Sequence, residues 1–307
     1  MASMELGLST TAFLDFDPPR HLPLMARFGI HCVELSTDCF DRLNAAVFRH
    51  LAAAIQDAGV AVNSIHVPYC CPGQLTRCSI SDTDMSTRQQ ALDMAGVCLE
   101  RLQALGGRCL VLHPSGDCVA DDERQERIDL LQEGLLQLLA RLPETLPMRI
   151  GVESLHKTSL GRDARDLVEI VDAVGSSRVG ICLDTNHANL IENIVDATRV
   201  YGPRLLTLHI SDNDGAAERH WLPMRGVIPW QEWMRALAKT GYSGPLVYEV
   251  SAREAADRSL SDEDMLAEIR RNGDCLLSWA QPLTSRQGGA TQCSASPART
   301  GGRRVAN

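Results

Sequence analysis

Aromatic residues are scarce in this chain, at 4% of 307 positions, and long apolar runs are missing. No segment approaches the roughly eighteen consecutive apolar residues that a membrane-crossing helix needs. Met1–Leu8 has neither the basic start nor the apolar middle of a secretory leader, so the sequence predicts a soluble, unexported, cytoplasmic protein with no membrane partner. Basic residues are in deficit, 30 against 39 acidic, for a formal charge of −9. That balance, with few aromatics to stack on bases, argues against a nucleic-acid partner. No phosphate cradle of the GxxxxGK type is present. The eleven cysteines include no CxxC spacing. Cys32, Cys98, Cys109 and Cys182 fall inside strand or helix patterns and read as small reduced core residues, whereas Cys70, Cys71 and Cys78 share a loop without zinc-site spacing.

What the chain does have is a regular alternation. With 44% hydrophobic and 22% charged residues it can bury a large core, and its length is ordinary for one α/β barrel. Short apolar runs predict strands at Leu6–Ser9, Cys32–Leu35, Ala61–His66, Cys109–His113, Arg149–Glu153, Gly180–Asp184, Leu205–His209 and Leu246–Val250. Amphipathic segments predict helices at Leu22–Phe28, Asp41–Ala58, Ser86–Leu105, Asp121–Leu142, Gly161–Val174, Asn193–Tyr201, Pro229–Thr240 and Ser261–Ala280. Gly59, Gly106, Gly175 and Gly241 stand where helices should end before the next strand. Eight strand–helix units predict a closed (β/α)8 TIM barrel, one domain over residues 1–284. The Ser-, Gly- and Arg-rich stretch 285–307 predicts a disordered tail.

The segment Leu205–Trp230 ends an apolar strand on His209 and opens into a loop carrying Asp212, Asp214, Glu218, His220 and Arg225. Other strands end the same way. Alternation along a strand puts Ser64 with His66, Val111 with His113, Gly151 with Glu153, Cys182 with Asp184, Thr207 with His209 and Val247 with Glu249 on the inward face. Bulky residues such as Ile65, Leu110, Ile181, Leu206 and Leu208 take the helix-facing side. The polar ends then converge at the carboxyl end of the barrel, where enzymes of this architecture build their sites. Glu34 has the same parity and is expected to contact substrate.

Glu153, Asp184 and Glu249 would place three carboxylates in a partly dry pocket, where two unpaired acids repel by about 4 kcal/mol at an effective dielectric near 20. A protonated acid or a nearby arginine could relieve this, but His209 among oxygen ligands suits a divalent cation better: Mn²⁺, Mg²⁺, Co²⁺ or Zn²⁺. Either His66 or His113 alone would be read as an ordinary hydrogen-bonded core histidine.

The segments SIHVPY (Ser64–Tyr69), LGGRCLVLHPSG (Leu105–Gly116), GVES (Gly151–Ser154), ICLDTNHANL (Ile181–Leu190), LLTLHISDNDG (Leu205–Gly215) and GYSGPLVYEVS (Gly241–Ser251) together resemble the xylose isomerase-like TIM barrels. That family includes sugar and sugar-phosphate isomerases and epimerases, inosose isomerases and dehydratases, and endonuclease IV. The resemblance covers nearly the whole chain before residue 285 and implies Glu153, Asp184, His209 and Glu249 as metal ligands, with His187 on substrate oxygens.

Two activities then compete. The first is a metal-dependent isomerase or epimerase of a sugar, sugar phosphate or inosose-like polyol, removing a proton next to a carbonyl through a metal-stabilised enediolate. There Glu153 and Glu249 are base and acid, and His66, His113, His187, His220, Arg225 and Glu34 hold substrate. The second is an endonuclease IV-like zinc phosphodiesterase on abasic DNA, in which His66, His113, His187, Glu218 and His220 become extra ligands. Against it, the loop after His220 reads WLPMRGVIPW where that family has a glycine-rich turn, and no loop joins arginines to exposed aromatics. A dehydratase on the same scaffold ranks between them. A barrel without catalysis is disfavoured, because an idle set of buried acids costs stability. Trp221, Trp230 and Trp233 could wall the pocket or pack the seventh helix, packing being the expectation for Trp233. A homo-oligomer is compatible with the sequence.

Overall fold

The computed structural model describes residues 4–36, 39, 44–69, 78–116, 118–155 and 159–280. Its eight strands close a parallel barrel in sequence order: β1 (Leu6–Ser9), β2 (Cys32–Leu35), β3 (Ala61–His66), β4 (Cys109–Leu112), β5 (Arg149–Glu153), β6 (Val179–Asp184), β7 (Leu205–Ile210) and β8 (Leu246–Tyr248). β1 pairs with both β2 and β8, so no edge is left open. The outer layer comprises α1 (Pro18–Arg27), α2 (Ala45–Ala58), α3 (Met85–Ala104), α4 (Arg124–Ala140), α5 (Ala164–Ala173), α7 (Ile194–Tyr201), α8 (Trp230–Lys239) and α10 (Asp262–Ala280). The eight expected strands and eight expected helices are all present and differ from the observed ones only at their ends. The boundary at 284, the tail 285–307 and Cys70-Cys71 lie outside the described residues.

Two short helices were not expected: α6 (Thr185–Asn189), directly after β6, and α9 (Ala252–Asp257), after β8. Both are too short for a periodic signal, and both are started by a cap. Asp184 accepts from the backbone N–H of Asn186 and His187, and Ser251 from that of Arg253. Helix ends follow the expected glycines: Gly59 (φ 63°) and Gly241 (φ 82°) adopt the left-handed turn that bulkier residues avoid.

Ile65, Leu110, Ile150, Val152, Ile181, Leu183 and Leu208 are buried in the layer between strands and helices. Each fully buried aliphatic side chain contributes about 1.5–3 kcal/mol. The interior is filled instead by small groups, with Cys109, Val111 and Cys182 in one cluster. Gly151 makes room for them, since a Cβ there would lie 3.1 Å from the Cys109 sulfur. Burial pushes the thiols of Cys32 and Cys109 up to about 12, which suits packing rather than reactivity. Leu206 departs from the expected parity and packs against the interior cluster, because the β6–β7 register shifts between Ile181 and Cys182. Among the described residues no helix is long and apolar enough to cross a membrane.

Candidate active site

Strand ends and the turns after them carry polar side chains to one end of the barrel, around a cavity of about 260 Å³. Its walls include His66, His113, Glu153, His187, Glu218, His220 and Glu249. Three groups there have ligand atoms within 4.8 Å of one another: Glu153–Asp184–His209–Glu249, His66–His113–Glu153, and His187–Glu218–His220. Glu153 belongs to two of them. Its position at the end of β5 puts it between β3 and β4 on one side and β6 and β7 on the other.

Hydrogen bonds and ring packing aim the histidines. His66 Nδ1 donates to the Val67 carbonyl at 2.8 Å, which leaves Nε2 facing Glu153 Oε2 at 2.8 Å. His113 Nε2 lies 3.2 Å from the same oxygen, and its ring stacks on Tyr69 with centroids 5.1 Å apart. His209 Nε2 is 2.8 Å from Glu34, so Nδ1 faces Glu153 at 3.2 Å and Glu249 at 3.4 Å. His187 Nδ1 donates to the Ser154 carbonyl at 3.0 Å, with Nε2 3.3 Å from Glu218. His220 Nδ1 donates to the Glu249 carbonyl at 3.1 Å. Histidine ligands are commonly oriented in this way.

Protons and histidine charges balance the acids where no cation is present. Burial, helped by Glu153 and Asp184 against the pull of His209, holds the Glu249 carboxyl well above the usual range. Burial pushes the Glu153 carboxyl up as well, but His209 and His113 overcome it and hold that carboxylate well below the usual range. Burial also opposes the charge on His187, yet Asp184 and the hydrogen bond to Glu218 raise it to about 10. The donor set fits a divalent cation on a separate observation. Asp184 Oδ1 caps α6, while Asp184 Oδ2 is buried and makes no hydrogen bond. An oxygen with no hydrogen bond, 3.4 Å from His187 Nδ1 and beside two further carboxylates and the His209 imidazole, is suited to a cation.

Two expected substrate contacts lie elsewhere. Glu34 is fully buried beneath His209 and bonded to Ser64 Oγ at 2.7 Å, so it supports the site from below instead of meeting substrate. Parity gave its face correctly, but not its depth. Arg225 is absent from the cavity wall and pairs with Glu254. Of the tryptophans, Trp233 is buried in α8, Trp230 Nε1 donates to Asp212 at 2.7 Å, and Trp221 does not line the cavity. Sequence reasoning missed Thr11, Ser36, Tyr69, Leu155, Val250 and Ser251 as wall residues. Thr11 and Ser36 follow Ser9 and Glu34 by two positions, so extending strand parity past the strand ends would have found them.

The loop from Asp212 to Pro229 carries Glu218 and His220 and is folded around one buried carboxylate. Asp212 accepts from the backbone N–H of Gly226 at 2.9 Å and of Ile228 at 3.2 Å, besides Trp230 Nε1. Its backbone pairs with Trp221 in both directions. Met224 holds φ 70° in the turn, a conformation that normally favours glycine.

A family model described as xylose isomerase-like TIM barrel matches residues 22–271. The chain is 31% identical over 167 residues to an uncharacterised protein, y4fM, of Sinorhizobium fredii, covering 53% of each. To a D-psicose 3-epimerase of Enterocloster bolteae it is 30% identical over 151 residues, 48% of each chain. The chain thus spans about half the length of these curated relatives. Among solved structures, D-psicose 3-epimerase from Clostridium cellulolyticum H10, solved with D-tagatose, superposes with a TM-score of 0.75 at 19% identity, covering 91% of this chain and 100% of that one. At that identity the likeness is one of fold.

Proposed function

Because the chain belongs to the xylose isomerase-like TIM barrel family, we propose that it is a divalent-metal-dependent isomerase or epimerase of a small sugar, sugar phosphate or inosose-like polyol. The observation that carries this reading is the placement of Glu153 and Glu249. Both line the cavity, from strands on different sides of the barrel, and both reach the same His209 nitrogen. The epimerases among the relatives support the same class.

Glu153, Asp184, His209 and Glu249 would hold the metal. When bound, it would polarise adjacent carbonyl and hydroxyl oxygens and so acidify the intervening C–H. Glu153 and Glu249 flank the substrate: one carboxylate removes the proton from that carbon, and the electron pair moves to the neighbouring carbonyl oxygen. The other carboxyl returns a proton, to the opposite face of the same carbon for epimerisation or to the adjoining carbon for isomerisation. His187 and His220 hold substrate hydroxyls from the β6 and β7 loops, while Tyr69, Leu155 and Val250 keep water from the carbanion.

The test is deuterium uptake from D₂O into ketohexoses, inososes and their phosphates, followed by NMR with the metal-loaded protein. Exchange at a carbon next to the carbonyl is expected. Absence of exchange in every substrate, with metal bound, would remove this reading.

A second reading, a phosphodiesterase acting on abasic DNA, is favoured by the two additional groups, His66–His113–Glu153 and His187–Glu218–His220. Two or three tightly held zinc ions per chain and cleavage of an abasic oligonucleotide would establish it over the first.

A further inference from the structure

The opposite end of the barrel holds a second cavity, of about 290 Å³, that neither reading of the mouth uses. Arg108 and Arg149 stand on its lip. Arg149 opens β5, Arg108 immediately precedes β4, and these strands are neighbours. Their backbones are locked together. The Arg149 N–H donates to the Arg108 carbonyl at 2.9 Å, and the Arg108 N–H to that of Asn63 at 3.0 Å. The two residues therefore stand side by side at the start of adjacent strands, both with exposed side chains.

No carboxylate lines this cavity, and among the described residues neither arginine has an acidic partner within 4 Å. In a chain of net charge −9, an acid-free pocket with two neighbouring cations is a local inversion of sign. The far wall is the turn Gly241–Pro245. Tyr242 folds inward there, its hydroxyl donating to the Pro245 carbonyl at 2.8 Å, and Ser243 stands on the lip beside it. Two exposed guanidinium groups beside a hydroxyl-bearing turn supply the positive charge and forked donors that a phosphate group takes.

We infer that this cavity binds a small phosphate-bearing dianion, at the end of the barrel away from the catalytic mouth. The strands separate the two sites by their length, on the order of 15 Å. The inference does not depend on the reaction at the mouth.

The test is calorimetric titration of the metal-loaded full chain with inorganic phosphate, at ionic strength held constant with chloride. Saturable binding is expected with a Kd on the order of 1 mM. The double variant Arg108→Gln/Arg149→Gln should weaken it at least about tenfold, and Arg108→Lys/Arg149→Lys by less, because lysine keeps charge but loses the fork. His220→Ala, at the mouth, should leave phosphate affinity unchanged. Equal thermal stability of the variants in phosphate-free chloride buffer shows that they fold. Phosphate binding that survives the double glutamine variant, that is lost in His220→Ala, or that is absent from the wild-type protein would each overturn the inference.

Discussion

Glu34 Oε2 accepts from both Ser64 Oγ, at 2.7 Å, and His209 Nε2, at 2.8 Å, and so turns the other His209 nitrogen toward Glu153 and Glu249. Burial alone would raise the Glu34 carboxyl, but the charge and hydrogen bond of His209 lower it. Glu34→Gln is expected to weaken metal binding by about 10–100-fold, the usual cost of losing a carboxylate behind a histidine ligand. Metal titration of a variant whose circular dichroism matches wild type checks this. Unchanged affinity would show that His209 holds its orientation without Glu34.

Glu153 and Glu249 have different connections and should fail differently. Either change to Gln is expected to lower turnover by about 10²–10⁴-fold. Glu153→Gln should also reduce the metal retained per chain more than Glu249→Gln does, because Glu153 belongs to two ligand groups. Kinetics read beside elemental analysis separate the two effects. Full activity in both variants would remove the acid–base assignment.

The protons held by the metal-free site set its pH dependence. His187, raised to about 10 from 6.5, stabilises the metal-free fold fully below about pH 6.5, and this contribution is lost as pH climbs toward 10. His209, also raised, acts in the same direction. The melting temperature of chelator-treated protein should therefore fall between pH 7 and pH 10, with the metal-loaded form falling less. Metal binding must also displace these protons, so its affinity should weaken as pH drops. A metal-free melting temperature that rises over this range would contradict the charge assignment.

Asp212 organises the loop that carries Glu218 and His220. Asp212→Ala leaves four donors without their acceptor: the N–H groups of Asn213, Gly226 and Ile228, and Trp230 Nε1. At about 1–3 kcal/mol for each donor left buried, a loss near 3 kcal/mol is expected, since the exposed part of the loop recovers water. Denaturant titration measures the loss, and metal stoichiometry reports whether the His187–Glu218–His220 group has come apart.

Much of the barrel was legible in the chain because its signals are local. The runs Ala61–His66 and Arg149–Glu153 match β3 and β5 residue for residue, since a strand between helices needs bulky residues on one face and small or functional ones on the other. The same alternation put His66, His113, Glu153, Asp184, His209 and Glu249 on the inward face. Where alternation is interrupted it misleads. Leu206 sits at a register shift, and the short α6 owes its place to an Asp184 cap that a periodicity window is too long to see.

What the sequence by itself determined is the set of eight units and the inward acids and histidines, because period and parity are written along each segment. Tertiary structure alone decided which of these residues meet. Glu34 lies below His209 and not beside the substrate, Arg225 is taken by Glu254, and Glu153 joins two ligand groups. Depth and cross-barrel neighbours depend on how far each strand slides against the next when the sheet closes, and that stagger is a property of all eight strands together.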